Sequence, residues 1–242
     1  MSGESSRIVE LRRYALRPGA RETLIALFDR ELVETQEEVG MQVLGQFRDL
    51  DDPDSFVWLR GFSDMRTRKR ALEAFYGGPA WKEHGRAANA TMVDSDNVLL
   101  LRPLSGLELD SNSRPAPVST ADQPGLLVVT IYPLAEAAAR SFPELFLREL
   151  EPTLRTAGIS VLATYATEHS PNSFPALPVR EDEDVFVWMA VYADEADHAR
   201  HAAALEHAPL WRDRFSSALA ERLDGQAETL RLRPTARSLL HG

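Results

Sequence analysis

The sequence predicts an α+β fold in which one β-α-β-β-α-β unit occurs twice in the same chain. The first observation is a repeated apolar strand and Pro-x-Trp element: Phe56 to Phe62 with Pro79-Ala80-Trp81, and Phe186 to Tyr192 with Pro209-Leu210-Trp211. Paired positions in these elements are 130 residues apart. The second observation is that the segments preceding these elements also match, with Tyr14 and Tyr132 118 residues apart. Constant offsets over several elements indicate a duplicated domain.

Two hydrophobic periodicities define the elements of the first unit. In strands, apolar and polar residues alternate, as Val9 and Leu11 do with Glu10 and Arg12. In the first helix, apolar residues recur at spacings of three and four, and Gly40 is suited to end it. The predicted strands are Ile8 to Tyr14, Gln42 to Arg48, Phe56 to Phe62 and Asn97 to Leu101; the predicted helices are Arg21 to Val39, Met65 to Tyr76 and a short one around Trp81. This order is that of the ferredoxin-like unit.

The second unit repeats the order after a polar segment rich in Ser, Pro and Asp. Its predicted strands are Leu126 to Tyr132, Ile159 to Tyr165, Val185 to Tyr192 and Glu228 to Leu232. The increase of the offset from 118 to 130 places an insertion between the second and third strands, within residues 167–184. We therefore predict a first domain at 1–104, a linker at 105–125 and a second domain at 126–242.

The third strand of each unit has an aliphatic face and an aromatic face. Val57 and Leu59 alternate with Phe56 and Trp58, and the second unit shows the same alternation. Two helices cover only one face of a sheet, and the Leu-rich stripes of the helices fit the aliphatic face. We therefore expect the aromatic faces to meet in the interior of a barrel formed by the two sheets of one chain.

The first and third strands of such a unit are neighbours, so their polar residues converge. Glu10, Arg12, Tyr14, Trp58 and Arg60 share a face in the first unit. The second unit offers Val128, Thr130, Tyr132, Trp188 and Ala190 at the same positions. A buried carboxylate and two arginines are costly unless they pair or bind a ligand. The sequence predicts a pocket with a polar half from the first unit and an apolar wall from the second; the alternative is that Glu10 pairs with Arg12 or Arg60 to tie the strands together.

The residue types on this face suggest roles in acid/base chemistry. Glu10, Tyr14 or His84 would move a proton, and Arg12 or Arg60 would stabilise developing negative charge. The predicted catalytic residues are Glu10, Tyr14, Arg60 and His84, and the predicted substrate-binding residues are Arg12, Trp58, Phe62, Tyr132 and Trp188. No metal site is predicted, since His198 and His201 read as exposed helix residues. His84 also fits the simpler description of a packed residue beside aromatic side chains.

Several segments of the first unit resemble the NIPSNAP family of the dimeric α+β barrel superfamily. They are the run from Val9 to Gly19, Trp58 to Phe62, the Arg-rich helix from Arg66 to Arg70, and Pro79-Ala80-Trp81. The resemblance implies a two-sheet barrel formed within one chain and does not imply a reaction. Its superfamily includes cofactor-free cyclases, oxygenases and isomerases as well as haem proteins.

Three functions remain open from the sequence. The first is an enzyme without a tightly bound cofactor that cyclises, isomerises or oxygenates an apolar, polyketide-like substrate. The second is haem binding through His84, His201 or His207 as axial ligand. The third is a non-catalytic ligand-binding or scaffold protein whose activity lies in the insertion and linker.

Composition narrows the partners and the location. The formal net charge of −10 argues against nucleic-acid binding, which depends on Lys and Arg. There is no cysteine, so disulfides and thiolate chemistry are excluded. The N-terminal residues contain no apolar run of the length of a signal peptide core, and no apolar run approaches the ~18 residues of a membrane span. We expect a cytoplasmic protein with a small-molecule partner, no nucleic-acid or membrane partner, and a homo-oligomeric state left open.

Overall fold

The computed structural model describes residues 6–105, 107, 109, 113–117 and 119–242. The start of the predicted first domain and six positions of the predicted linker lie outside the described residues. The strands are β1 Ile8–Leu16, β2 Gln42–Asp49, β3 Ser55–Phe62, β4 Met92–Pro103, β5 Leu126–Pro133, β6 Val161–Thr167, β7 Val185–Tyr192 and β8 Glu228–Pro234. The predicted order is confirmed in both units, although β4 begins five positions earlier than predicted because it pairs with β1 as far as Met92.

The helices of the first unit occupy the predicted regions, although the predicted helix from Arg21 to Val39 is divided into shorter pieces. The α-helices are α1 Arg21–Leu27, α2 Val33–Glu37, α3 Met65–Gly77, α4 Pro79–Thr91, α5 Glu136–Ala139, α6 Phe142–Leu145, α7 Glu151–Thr156, α8 Glu195–His207 and α9 Ser216–Ala220. Three π-helical turns, Phe28–Leu32, Phe146–Leu150 and Trp211–Phe215, lie between them. In the described part of the chain, no helix combines the length and hydropathy that a membrane crossing requires.

Equivalent local signals begin and end the helices in both units. The Asp64 side chain accepts a hydrogen bond from the Thr67 amide at 2.6 Å at the start of α3, and Asp194 does the same for Asp197 at 2.7 Å before α8. After the first helical region of each unit the chain turns at Gly40 (φ 93°) and Gly158 (φ 86°). Only glycine adopts this left-handed conformation without strain.

The eight strands form one closed barrel in the order β1-β3-β2-β8-β5-β7-β6-β4. Each unit contributes a four-stranded antiparallel sheet, and the pairs β2–β8 and β4–β6 join the two sheets at their edges. Closure removes free strand edges, which is how barrels avoid edge-to-edge association. The predicted intrachain pseudo-dimeric α+β barrel is confirmed.

The interior of the barrel is filled by the aliphatic faces of both sheets. Val57 and Leu59 of β3 pack there with Val187 and Met189 of β7, and all four are fully buried. The aromatic faces instead turn outward and lie under the helices of their own unit, Trp58 in the first and Trp188 in the second. Our assignment of faces was therefore wrong. The first and third strands of each unit are buried on both sides, so alternation identified the residues that share a face without identifying what covers that face.

The segment predicted as a linker is packed against the barrel where the structure describes it. Leu107 and Leu109 contact the interior cluster. Arg114 donates hydrogen bonds to Glu37 Oε1 at 2.7 Å and to the carbonyl oxygen of Arg237 at 2.8 Å. This part of the segment therefore connects the first unit with the C-terminal residues.

Candidate functional site

A fully buried ionic cluster lies between the first unit's sheet and its helices. Glu10 of β1 is the register partner of Arg60 of β3. The Oε2 atom of Glu10 accepts hydrogen bonds from Arg60 Nε and Arg12 Nη1, both at 2.7 Å, and its Oε1 atom accepts one from Arg68 Nε of α3, also at 2.7 Å. All four side chains are at most 1% exposed. We call these four residues the Glu10 cluster.

The Glu10 cluster is positively charged, because three guanidinium groups surround a single carboxylate. Burial alone would raise the pKa of Glu10, but the charges of Arg60, Arg12 and Arg68 outweigh burial and hold the pKa well below its usual range. Glu10 is therefore ionised at neutral pH and is a fixed counter-ion. This contradicts the proton-transfer role predicted for Glu10 and agrees with the alternative that it pairs with the strand arginines.

Arg12 connects the Glu10 cluster to Tyr14. Its Nε donates a hydrogen bond to the Tyr14 hydroxyl at 3.1 Å, while its guanidinium lies 5.7 Å from the centroid of the Trp58 ring. Burial raises the pKa of Tyr14 above its ordinary value, although the charge of Arg12 opposes this. Tyr14 therefore keeps its proton at neutral pH and presents a phenol that is polarised by a buried cation.

A cavity opens beside Tyr14, with an empty volume of about 300 Å³ that includes its mouth. The residues that line it are mostly aromatic or aliphatic: Tyr14, Leu24, Phe28, Leu32, Gln36, Trp58, Phe75, Tyr76, Trp81, Ala88 and Met92. Gln36 links the wall to the Glu10 cluster, since its Oε1 accepts a hydrogen bond from Arg60 Nη1 at 3.3 Å. The Nε1 atom of Trp58 is buried and has no hydrogen-bond partner in the described part of the chain.

The insertion of the second unit covers this side of the first unit. Arg68 Nη1 donates hydrogen bonds to Asn172 Oδ1 at 2.9 Å and to Ser173 Oγ at 3.0 Å. Phe174 stacks on Tyr76 of the cavity wall, with ring centroids 5.8 Å apart and planes 20° apart. Leu177 and Val179 pack against the same apolar cluster. We call residues 168–184 the covering loop.

The second unit has no equivalent of the Glu10 cluster within the described residues. Val128 pairs with Ala190 where Glu10 pairs with Arg60, and Thr130 pairs with Trp188. Burial raises the pKa of Tyr132 to about 12. The second unit therefore keeps the aromatic pair of the first without its charges.

The structure brings together five of the nine predicted site residues. Glu10, Arg12, Tyr14, Trp58 and Arg60 converge beside or behind the cavity. The other four lie elsewhere, so their predicted roles in a shared pocket are not supported. Phe62 is buried under the Arg60 guanidinium outside the cavity lining, Tyr132 and Trp188 lie under the second unit's helices, and His84 lies near the surface, 3.6 Å from Glu31.

The residues of this site do not fit haem. The cavity lining contains no histidine in the described part of the chain. The three histidines considered as axial ligands lie elsewhere: His84 beside Glu31, His201 beside Asp197, and His207 exposed on α8. Among the described residues, no group of three or more acidic or histidine side chains is placed to hold a metal ion.

Two contributors to the site were missed in the sequence. Arg68 lies at the three-and-four spacing of Ala71, Leu72 and Phe75, the buried stripe of α3. A charged residue in an apolar stripe is a signal that would have identified it. The sequence around Phe174 contains no such signal. Phe174 lies in a long loop of the second unit, and its contact with Tyr76 of the first unit depends on the tertiary structure.

The family comparison agrees with the position of the cluster in the first unit. Residues 9–106 match the NIPSNAP family model. A NIPSNAP-like domain protein from Burkholderia xenovorans is 30% identical; the match covers 40% of this chain and 85% of that chain, with a TM-score of 0.38. The chain belongs to the NIPSNAP family. The family match ends before the second unit, and the second unit has no equivalent of the Glu10 cluster among the described residues. No curated protein sequence matches the chain.

Solved structures that match over the whole length show the fold of this NIPSNAP protein. A candidate monooxygenase of Lactobacillus acidophilus NCFM is 12% identical, with a TM-score of 0.56 and coverage of 95% of this chain and 94% of that chain. An anthrone oxidase-like protein is 10% identical, with a TM-score of 0.55 and coverage of 100% and 98%. At these identities the similarity establishes the two-unit barrel alone.

Proposed function

We propose that the first unit is the active site of a small-molecule enzyme that stabilises a negatively charged oxygen on an apolar, aromatic substrate. The observation that carries this proposal is the cavity with an aromatic wall beside Tyr14, whose hydroxyl accepts a hydrogen bond from buried Arg12. Because Arg12 occupies an acceptor position of the hydroxyl, the phenolic proton remains to be donated to a ligand. Pockets that bind small molecules combine an apolar wall with a few placed polar groups in this way.

Tyr14 acts in this proposal as a hydrogen-bond donor. Its raised pKa keeps it protonated at neutral pH, so it donates to a carbonyl oxygen of the substrate. When a carbon conjugated with that carbonyl loses a proton to water, the negative charge develops on the oxygen that Tyr14 contacts. The positive charge of Arg12 behind the phenol stabilises this enolate, as preorganised donors do in other sites.

An enolate or phenolate is common to the three reaction types considered from the sequence. Cyclisation uses it as a carbon nucleophile, isomerisation reprotonates it at another carbon, and oxygenation transfers its electrons to dioxygen. The names of the two full-length structural neighbours favour oxygenation as the first reaction to test. For anthrone, the balanced reaction consumes one dioxygen and yields anthraquinone and water. One of the two atoms of dioxygen enters anthraquinone and the other enters water.

The test is anthrone oxidation in air-saturated buffer, followed by anthraquinone absorbance and by oxygen uptake. We expect the purified protein to accelerate the reaction and Tyr14→Phe to lower kcat about 100-fold, the cost of losing one oxyanion donor. Tyr132→Phe is the matched control, since it removes the equivalent hydroxyl in the second unit and should leave the rate unchanged.

The same experiment separates the alternatives. Quenching of tryptophan fluorescence by anthrone without turnover would assign the cavity to a ligand-binding protein. If anthrone neither quenches the tryptophan fluorescence nor is turned over, the proposed site for polycyclic ketones is contradicted. A scaffold role for the insertion has less support, because Phe174, Leu177 and Val179 pack against the first unit and are not presented to a partner.

A further inference from the structure

The charge of the Glu10 cluster exceeds what the proposed reaction requires. Three arginines and Glu10 leave two positive charges unbalanced, and the enolate of the proposed reaction supplies one negative charge. A buried charge without a counter-charge is strongly destabilising. This excess is specific to the first unit, since Val128 and Ala190 replace Glu10 and Arg60 in the second.

We propose that the substrate also carries a carboxylate, which Arg68 and Arg60 bind beneath the covering loop. This inference rests on the proposed function, because it adds a second anchor to the same substrate. A carboxylate has the single negative charge that remains to be balanced, whereas a phosphate monoester carries about 1.5 to 2 charges near neutral pH.

Unpaired donors point to this anchor. The Nη2 atoms of Arg60 and Arg68 are both buried, and neither has a hydrogen-bond partner in the described part of the chain. Buried guanidinium nitrogens without partners are costly, so a ligand oxygen that reached them would gain a charge-assisted hydrogen bond. The planar fork of arginine matches the two oxygens of a carboxylate.

The covering loop gives Arg68 only neutral partners. Asn172 Oδ1 and Ser173 Oγ accept from Arg68 Nη1 at 2.9 and 3.0 Å, and neither atom carries a charge. A hydrogen bond from Arg68 to a carboxylate gains the attraction of opposite charges, which these neutral oxygens do not provide. A carboxylate therefore competes well with these two oxygens for the outer edge of Arg68.

The pKa of Arg68 supports the same assignment. Burial lowers this pKa, and the like charges of Arg60 and Arg12 lower it further, so the attraction of Glu10 only partly compensates. Glu10 therefore does not fully compensate the positive charge of Arg68.

The loop also connects this anchor with the aromatic cavity. Arg68 contacts Asn172 and Ser173, and the next residue, Phe174, stacks on Tyr76 of the cavity wall. A ligand with an aromatic body in the cavity and a carboxylate at Arg68 contacts both parts of the loop. The aromatic side chains that line the cavity favour a planar aromatic body for such a ligand.

A matched pair of probes tests the proposal in the unmodified protein. The probes are 2-naphthol and 3-hydroxy-2-naphthoate, which differ by one carboxylate, and isothermal titration calorimetry at pH 7 gives both dissociation constants. We expect 3-hydroxy-2-naphthoate to bind at least tenfold more tightly. Equal affinity would overturn the carboxylate anchor and leave the proposed cavity intact, whereas failure of both probes to bind would contradict both proposals.

Variants of Arg68 test whether this residue causes the preference for the carboxylate probe. Arg68→Gln should bind the two probes with similar affinity, and Arg68→Lys should recover part of the preference because it restores the charge without the fork. His198→Ala is the matched control at the corresponding position of the second unit and should keep the full preference. Circular dichroism confirms that each variant is folded. A folded Arg68→Gln protein with an unchanged preference would overturn the assignment to Arg68.

Discussion

Glu10 and Arg60 face each other across two neighbouring strands of the first unit, where the second unit has Val128 and Ala190. Both pairs lie in the same strand register and are covered by helices, and both units pack an aromatic pair beside them. The barrel therefore accepts a charged or an apolar pair at this position. Burying the apolar pair requires less desolvation free energy than burying the charged pair, so the charges of the first unit indicate a role other than stability.

The connection between the second and third strands is the more elaborate one in the second unit, whereas the charged residues are in the first. In the first unit residues 50–54 form a short turn, whereas in the second unit the covering loop extends to Arg68 and Tyr76 of the first unit. One unit holds the charged site and the other supplies its cover. A duplicated chain can divide these tasks, which a dimer of identical subunits cannot.

The largest expected effect is the loss of the buried carboxylate. Glu10→Gln leaves three buried arginines without their counter-ion and should lower the free energy of unfolding by about 3–5 kcal/mol. Urea denaturation at pH 7 measures this loss. The contribution of Glu10 is fully present above its ordinary pKa of 4.5 and declines as the pH falls toward its lowered value, so the difference between the proteins should shrink in acid.

A combined variant provides the control for Glu10→Gln. It replaces the cluster with the residues of the second unit: Glu10→Val, Arg12→Thr, Arg60→Ala and Arg68→His. Removing the whole network avoids an unpaired charge, so this protein should be more stable than Glu10→Gln while losing ligand binding. A combined variant less stable than Glu10→Gln would show that the two units are not interchangeable at this position.

A second difference between the units is Asp29, which is buried where the second unit has exposed Leu147. Burial raises the pKa of Asp29 to about 6, and Arg237 only partly opposes the shift. The folded state therefore favours the protonated form, and this stabilisation is complete below pH 3.8 and is lost as the pH rises through about 6. Asp29→Asn should accordingly stabilise the protein at pH 8 by on the order of 1–3 kcal/mol.

Thermal unfolding of both proteins at pH 4.5 and pH 8 checks this sign. The gain from Asp29→Asn should be smaller at the lower pH, where Asp29 itself is protonated. A gain of equal size at both values would mean that the charge of Asp29 is not the cause.

A smaller effect is expected from the contact between the covering loop and Tyr76. Phe174→Ala removes the stacked ring pair, which contributes about 0.5–1.5 kcal/mol. The loop should then open more often, and trypsin should cleave after half-buried Arg180 up to about tenfold faster. Limited proteolysis followed by mass spectrometry measures this rate. Leu50→Ala, in the short turn of the first unit, is the control that should leave cleavage at Arg180 unchanged.

The smallest effect is expected at His84. Its ring lies near the surface beside Glu31 and outside the cavity lining. His84→Ala should change stability by less than about 0.5 kcal/mol and leave probe affinity unchanged, as is usual for surface substitutions. A large loss of turnover in this variant would restore the catalytic role predicted for His84 from the sequence.

Much of the architecture could be predicted because the signals are local or repeated. The two offsets revealed the duplication, and the change between them located the insertion. Alternation in β1 and β3 placed Glu10, Arg12, Tyr14, Trp58 and Arg60 on one face, which the structure confirms. The predictions for Tyr132, Trp188 and His84 failed because they required knowing which surfaces face each other.

The sequence by itself determined the repeated unit, the strand order and the set of residues that share each face. These depend on backbone periodicity, which is a property of neighbouring residues. Only the tertiary structure decided that the aliphatic faces fill the barrel and that the aromatic faces, with the Glu10 cluster, lie under the helices. It also brought Arg68 and Phe174 to the site. These features depend on the burial of the first and third strands of each unit on both sides and on contacts between distant segments, and neither produces a local sequence pattern.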